Sequence, residues 1–138
     1  MPDSAAFIVI APSARLGREV AAKGFEPIRL RSLDGVRKKL REHPAAFLLF
    51  EWDSADGETP LKTLTALKWR FPAFSFAVFC PNLPERTMED AETLRFLFLE
   101  SGAIAVFANR RELVSLSTII RNSGDAYPRP KNALTSDS

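Results

Sequence analysis

Glu51 and Asp53 form a carboxylate pair at the point where the apolar run Phe47-Leu48-Leu49-Phe50 ends. Carboxylates at such a place can carry charge, exchange a proton or hold a metal ion. No facing base, no metal-ligand set and no glycine-rich phosphate loop accompanies them. Asp53, Asp56 and Glu58 flank Gly57, but ligands at alternate positions and a bidentate glutamate in register are both missing. The segment reads as a solvated turn with acids near a helix N-terminus rather than a calcium loop. Cys80 is the single cysteine. A reactive thiol needs a neighbouring cation or helix N-terminus, and between Phe79 and Pro81 the residue reads as buried filler. His43, beside Pro44, has no partner at a recognisable spacing, so neither a Cys80–His43 pair nor a serine–histidine pair is supported. Arg29, Arg31, Arg37, Lys38, Lys39 and Arg41 cluster in sequence without any recognised nucleic-acid module, and read as a solvated face that discourages strand pairing.

The elements that must position these residues are legible. Ala6–Ala11, Phe25–Arg31, Ala46–Trp52, Phe74–Cys80 and Ala103–Ala108 read as strands, each followed by an amphipathic stretch. In an open α/β sheet, ligands and catalytic groups gather at the C-terminal ends of the strands. The second strand carries Pro27 and alternates Ile28 and Leu30 with Arg29 and Arg31, which suits an edge. Phe7-Ile8-Val9-Ile10, Phe47-Leu48-Leu49-Phe50 and Phe76-Ala77-Val78-Phe79 are continuously apolar, as buried parallel strands should be. The chain has 11 phenylalanines against one tyrosine, aromatic bulk with no hydroxyl to satisfy.

Ser13 stands where an N-cap would open the first helix, Leu16 and Val20 form its inward stripe, and Gly24 ends it. Leu33, Val36 and Leu40 turn inward on a second helix from Leu33 to Glu42. Leu61, Leu64, Leu67 and Phe71 mark the third. A fourth helix is expected from near Glu85 to Ser101, capped by Gly102, and a fifth carries Leu113, Leu116 and Ile120. In the fourth helix Leu94 and Phe98, with Ala91, make the inward stripe, leaving Phe96 and Leu99 as surplus apolar side chains of the kind that mark interfaces. Beyond Asn122 the composition cannot bury enough apolar area to offset chain entropy, and a disordered tail is expected over 124–138.

With 138 residues, 46% hydrophobic and 26% charged, the chain fits one domain, taken as 1–123. A formal net charge of +2 from 19 basic and 17 acidic residues argues for neither nucleic acid nor a membrane surface. No run approaches a membrane span, and the start Met1-Pro2-Asp3-Ser4 lacks a basic leader region. With a single cysteine, which suits a reducing compartment, a cytoplasmic protein is expected.

Five β–α units with the second strand at an edge favour a doubly wound, flavodoxin-like parallel sheet of order 2-1-3-4-5. Residues 6–123 resemble a response-regulator receiver domain, the phosphoacceptor module of bacterial two-component signalling. Phe47-Leu48-Leu49-Phe50-Glu51-Trp52 followed by Asp56-Gly57 resembles the third strand, acceptor site and following turn. Leu99-Glu100-Ser101-Gly102-Ala103-Ile104-Ala105-Val106-Phe107 resembles the passage into the fifth strand, and Phe7-Ile8-Val9-Ile10 resembles the first. The resemblance places Ala11 and Pro12 at the family's acidic Mg²⁺-binding pair, Glu51 at the acceptor aspartate, Cys80 at the switch serine or threonine, and Asn109 at the lysine. All are replaced, which implies a degenerate, pseudo-receiver module.

The reading is a non-catalytic signalling or regulatory protein, without metal or cofactor. It would act through a protein partner or a homodimer at the fourth helix, fifth strand and fifth helix, with Phe96 and Leu99 as interface residues. The alternative is a small-ligand module using the crevice at the strand ends, although Ala11-Pro12-Ser13-Ala14-Arg15 has few hydroxyls and no glycine for a phosphate cradle. An enzyme built on Cys80 ranks last.

Overall fold

The computed structural model describes residues 6–53, 60–81, 83 and 87–122. The acidic turn at Asp56, Gly57 and Glu58, the expected helix start at Glu85 and the tail lie outside the described residues. Strands β1 (Phe7–Ile10), β2 (Pro27–Leu30), β3 (Phe47–Glu51), β4 (Ser75–Phe79) and β5 (Ala105–Phe107) alternate with helices α1 (Arg15–Ala22), α2 (Val36–Glu42), α3 (Leu61–Arg70), α4 (Met88–Glu100) and α5 (Leu116–Asn122). All strand pairs are parallel, and the sheet order is β2-β1-β3-β4-β5, as the sequence predicts. β2 is an edge, with Pro27 at its first position, where no ladder hydrogen bond is forfeited.

Strand alternation divides the core into two layers. Ile8, Leu48, Phe50, Phe76 and Val78 face one way, toward Val36 and Leu40 of α2, Leu64 and Leu67 of α3, and Leu94 and Phe98 of α4. Phe7, Val9, Phe47, Leu49 and Phe79 face the other way, toward Leu16 and Val20 of α1 and Leu113, Leu116 and Ile120 around α5. Phe7 is packed edge-on by Phe25 and Phe47, with ring centroids 4.9 and 5.3 Å away. Rings without hydroxyls are therefore what a sheet covered on both faces can use, each fully buried one contributing roughly 1.5–3 kcal/mol.

The strands are shorter than their apolar runs, because the outer residues pair on one side only. Ala11 N–H donates to Leu30 O at 3.0 Å, and Ala6 O accepts from Phe47 N–H at 2.9 Å. The second and fifth helical segments open as 3-10 turns, Leu33–Gly35 and Arg110–Ser115, rather than as continuous α-helix. In each, an extended polar residue accepts an early N–H: Ser32 from Asp34 and Asn109 from Glu112. The N-cap of α1 is Ala14, and Ser13 Oγ accepts from Arg15 N–H at 3.3 Å.

The α4 helix begins at Met88 because Thr87 is extended and its hydroxyl accepts from Asp90 N–H at 3.2 Å, with Glu89 and Asp90 favourable in the first turn. It ends in a Schellman turn. Gly102 takes φ +113°, Ala103 N–H reaches Phe98 O and Gly102 N–H reaches Leu99 O, both at 3.1 Å. A side chain at Gly102 would be strained by that φ and would also press on the Lys68 stem, 3.0 Å from a built Cβ. Lys68 itself closes this end of the sheet, before β4 and β5, donating to the carbonyls of Pro72 and Phe74. Among the described residues, no helix is long and apolar enough to cross a membrane.

Candidate functional site

Ala11, Pro12, Glu51, Cys80 and Asn109 each follow or end a parallel strand, so the fold brings all of them to one end of the sheet. Their side chains do different things there. Ala11 is buried against the α1 and α5 layer, and Pro12 is exposed. Neither carries a side-chain oxygen. Cys80 is fully buried on the opposite face, among the residues beneath α2, α3 and α4, and its N–H donates to Phe107 O at 2.8 Å. His43 caps the end of α2, where its N–H donates to Lys39 O at 2.8 Å, before β3 begins. Cys80 follows β4, so the two residues stand at opposite ends of the parallel sheet and form no nucleophilic pair.

Asn109 is occupied by the local backbone. Its Oδ1 accepts from Glu112 N–H at 3.1 Å, and Glu112 Oε1 returns to accept from Ala108 N–H at 2.6 Å, a variant of the capping box. The cation at this end of the sheet is the next residue, Arg110. Its Nε donates to Glu19 Oε1 of α1, and its guanidinium lies 5.7 Å from the Phe79 ring centroid. Glu19 also lies 3.9 Å from Arg15 Nε, giving an Arg15–Glu19–Arg110 chain across α1 and the segment after β5.

Glu51 ends β3 half-buried beside this chain. Desolvation raises its pKa above the ordinary glutamate value; Arg110 and Arg15 oppose that shift, while Asp53 and Glu19 add to it. The carboxylate is therefore held in a place that disfavours its charge. Trp52, the next residue, turns to the other face and is nearly buried, its ring 5.6 Å edge-on from Phe98 of α4. No hydrogen-bond partner reaches the Trp52 indole N–H among the described residues. The described residues also hold no group of three or more His, Cys, Asp or Glu side chains placed to share a metal ion.

Arg110 and Glu19 escape the sequence reading, which attends to the residue directly after each strand. The signal for Arg110 is its place one residue beyond Asn109, where a 3-10 turn swings it back over the strand ends. Glu19 is marked by its i,i+4 spacing from Arg15 on α1.

A cleft of about 240 Å³ opens not over Glu51 but on the β2 side of β1, lined by Ala11, Pro12, Ser13, Gly17, Arg29 and Arg31 among others. The basic residues on α2 are solvated, with Lys39 3.6 Å from Glu42. At the far edge of the sheet, Phe96 is 60% and Leu99 46% exposed, whereas Leu94 and Phe98 are buried. Among the described residues the exposed large hydrophobics are Trp69, Met88, Phe96, Leu97, Leu99, Ile104 and Val114. All but Trp69 fall on α4 or between it and α5.

No protein-family model and no curated protein sequence matches the chain. Solved structures do match it. A response regulator from Thermotoga maritima superposes with a TM-score of 0.64 at 17% identity, over 86% of this chain and 99% of that one. An atypical orphan response regulator, for which a new phosphorylation-independent regulatory mechanism is described, superposes with a TM-score of 0.61 at 17% identity, over 83% of this chain and 94% of that one. The fold is that of a response-regulator receiver domain.

Proposed function

We propose that this receiver-like domain is a pseudo-receiver, a non-catalytic signalling module that works by protein–protein contact and without phosphorylation. The observation that carries the reading is the end of the sheet itself. Ala11 and Pro12 offer no side-chain oxygen to Mg²⁺, which requires near-octahedral oxygen coordination. Burial raises the pKa of the half-buried Glu51, so the site disfavours added negative charge. The nearby cation, Arg110, is committed to Glu19. Among the described residues, a phosphoryl group arriving at Glu51 would find no metal-ligand cluster, and the neighbouring Arg110 is already paired with Glu19 rather than free to stabilise phosphoryl transfer. The similar fold of an orphan response regulator with a phosphorylation-independent mechanism supports the same reading.

The contact surface in this proposal is α4, the start of β5 and the turn into α5, and the occupant is a second copy of the chain. Exposed apolar side chains concentrate there. The face also offers charges of both signs, with Glu89, Asp90 and Glu92 on α4 and Arg111 before α5, as a self-complementary two-fold contact requires. Incubation with acetyl phosphate and Mg²⁺ followed by intact-mass measurement is expected to show the unmodified mass. A stable phosphate adduct on Glu51 or Asp53 would overturn the phosphorylation-independent reading.

A further inference from the structure

The cleft beside α1 has a chemistry that the pseudo-receiver reading does not use. Alternation along β2 sends Ile28 and Leu30 to the α2 layer and leaves Arg29 and Arg31 on the α1 side. Both arginines are solvent-exposed, and the Arg29 side chain lies back across α1. A Cβ built on Gly17 would stand 2.6 Å from its Nε and 3.2 Å from its Cζ, so the guanidinium rests against bare helix backbone. Gly17 is buried inside α1, a position where glycine weakens a helix, and its missing side chain leaves the room that Arg29 and the cleft occupy. Among the described residues, neither Arg29 nor Arg31 has a carboxylate within ion-pair distance. Two guanidinium groups thus line one concavity with no counter-charge among the described residues.

We propose that this cleft binds a small organic phosphate, held by the guanidinium groups of Arg29 and Arg31. Planar arginine forks match phosphate oxygens with paired, charge-assisted hydrogen bonds. Recognition by side chains is what the site requires, because Ala11-Pro12-Ser13-Ala14 lacks the glycines of a backbone cradle; the Ser13 hydroxyl, which accepts from Arg15 N–H, keeps its own proton to donate. The start of α1 adds a favourable dipole end to the same side of the cleft. Val9, Ala11 and Pro12 supply an apolar wall for the organic part, and about 240 Å³ suits a compact molecule rather than a dinucleotide. The ligand would sit beside α1, over the ends of β1 and β2, whereas the α4 contact face lies by β5 at the other edge of the sheet. The two proposals therefore stand or fall separately.

The test is titration of the full chain with inorganic phosphate and with glycerol 3-phosphate, followed by amide NMR. Chloride and succinate at equal ionic strength serve as comparison anions. Saturable shifts are expected at the amides of Ser13, Gly17, Arg29 and Arg31, larger for glycerol 3-phosphate than for inorganic phosphate. Arg29→Gln and Arg31→Gln should each weaken binding at least tenfold while the remaining spectrum stays native. Gly17→Leu, which fills the cleft from the helix side, should abolish binding with both arginines present. Phosphate shifts no larger than those of chloride would overturn the proposal. So would tighter binding of succinate, shifts centred on Glu51 and Arg110, or unchanged affinity in whichever of these variants folds.

Discussion

At the scale of single residues, Glu51 ends β3 in a place where folding disfavours its charge. Glu51 binds its proton more readily in the folded chain than in the unfolded one, chiefly because folding removes water from it. Its contribution to stability is then fully present below the ordinary glutamate value of 4.5 and is lost as pH rises through the raised folded value. Glu51→Gln removes that titration. The variant is expected to melt a few degrees above the wild type at pH 7, with the difference shrinking toward pH 4. Parallel melting curves across that range would show that Glu51 is well solvated in the folded state. The sequence exposes Glu51 as the residue to ask about. It does not expose Arg110, whose role arises from a 3-10 turn that Asn109 and Glu112 stabilise by exchanging hydrogen bonds with the local backbone.

Among the elements, α4 carries the most information. Its stripe of Leu94 and Phe98 is buried as the helical spacing predicts. At ~100° per residue Phe96 lies on the far side of the helix from that stripe. The neighbouring edge strand is closed to further pairing at one point, since Arg95 of α4 donates to the outward carbonyl of Val106 at 3.0 Å. Helix-to-helix contact is therefore favoured over strand addition on this side of the sheet. Burying one exposed phenylalanine is worth roughly 1.5–3 kcal/mol. Phe96 and Leu99 from two chains can thus support a weak dimer after association costs. Phe96→Glu should shift the protein toward monomer in sedimentation and leave its circular dichroism native, because the side chain contributes little to the core. A wild type that stays monomeric at high concentration would refute self-association through this face. The α4 helix starts at Met88, where the Thr87 hydroxyl caps it, a point that periodicity alone does not locate.

On the scale of the whole molecule, the described residues build both core layers, and the last of them in sequence is Ile120. We expect the segment 123–138 to add nothing to this core, given its prolines and sparse apolar residues. A chain ending at Asn122 should keep its melting temperature within about 2 °C, corresponding to less than ~0.5 kcal/mol for a domain of this size. A large fall would mean that Tyr127 or Leu134 docks on the domain.

The amino-acid sequence alone determined the class of fold, because its signals are local. Runs such as Phe76-Ala77-Val78-Phe79 permit little but a strand buried on both faces, Pro27 with Arg29 and Arg31 marks an edge, and Gly102 ends a helix. From these the order 2-1-3-4-5 follows, since few right-handed arrangements of five β–α units bury every stripe. Tertiary structure decided the contents of the site, because those depend on residues distant in sequence that only the folded sheet brings together. Glu19 and Arg110 meet across 91 positions. Cys80 and His43, the two residues whose chemistry could have paired, are kept at opposite ends by the parallel direction of the strands. Arg29 folds over Gly17 only because β2 lies beside β1 beneath α1, and no periodicity along a single segment encodes that contact.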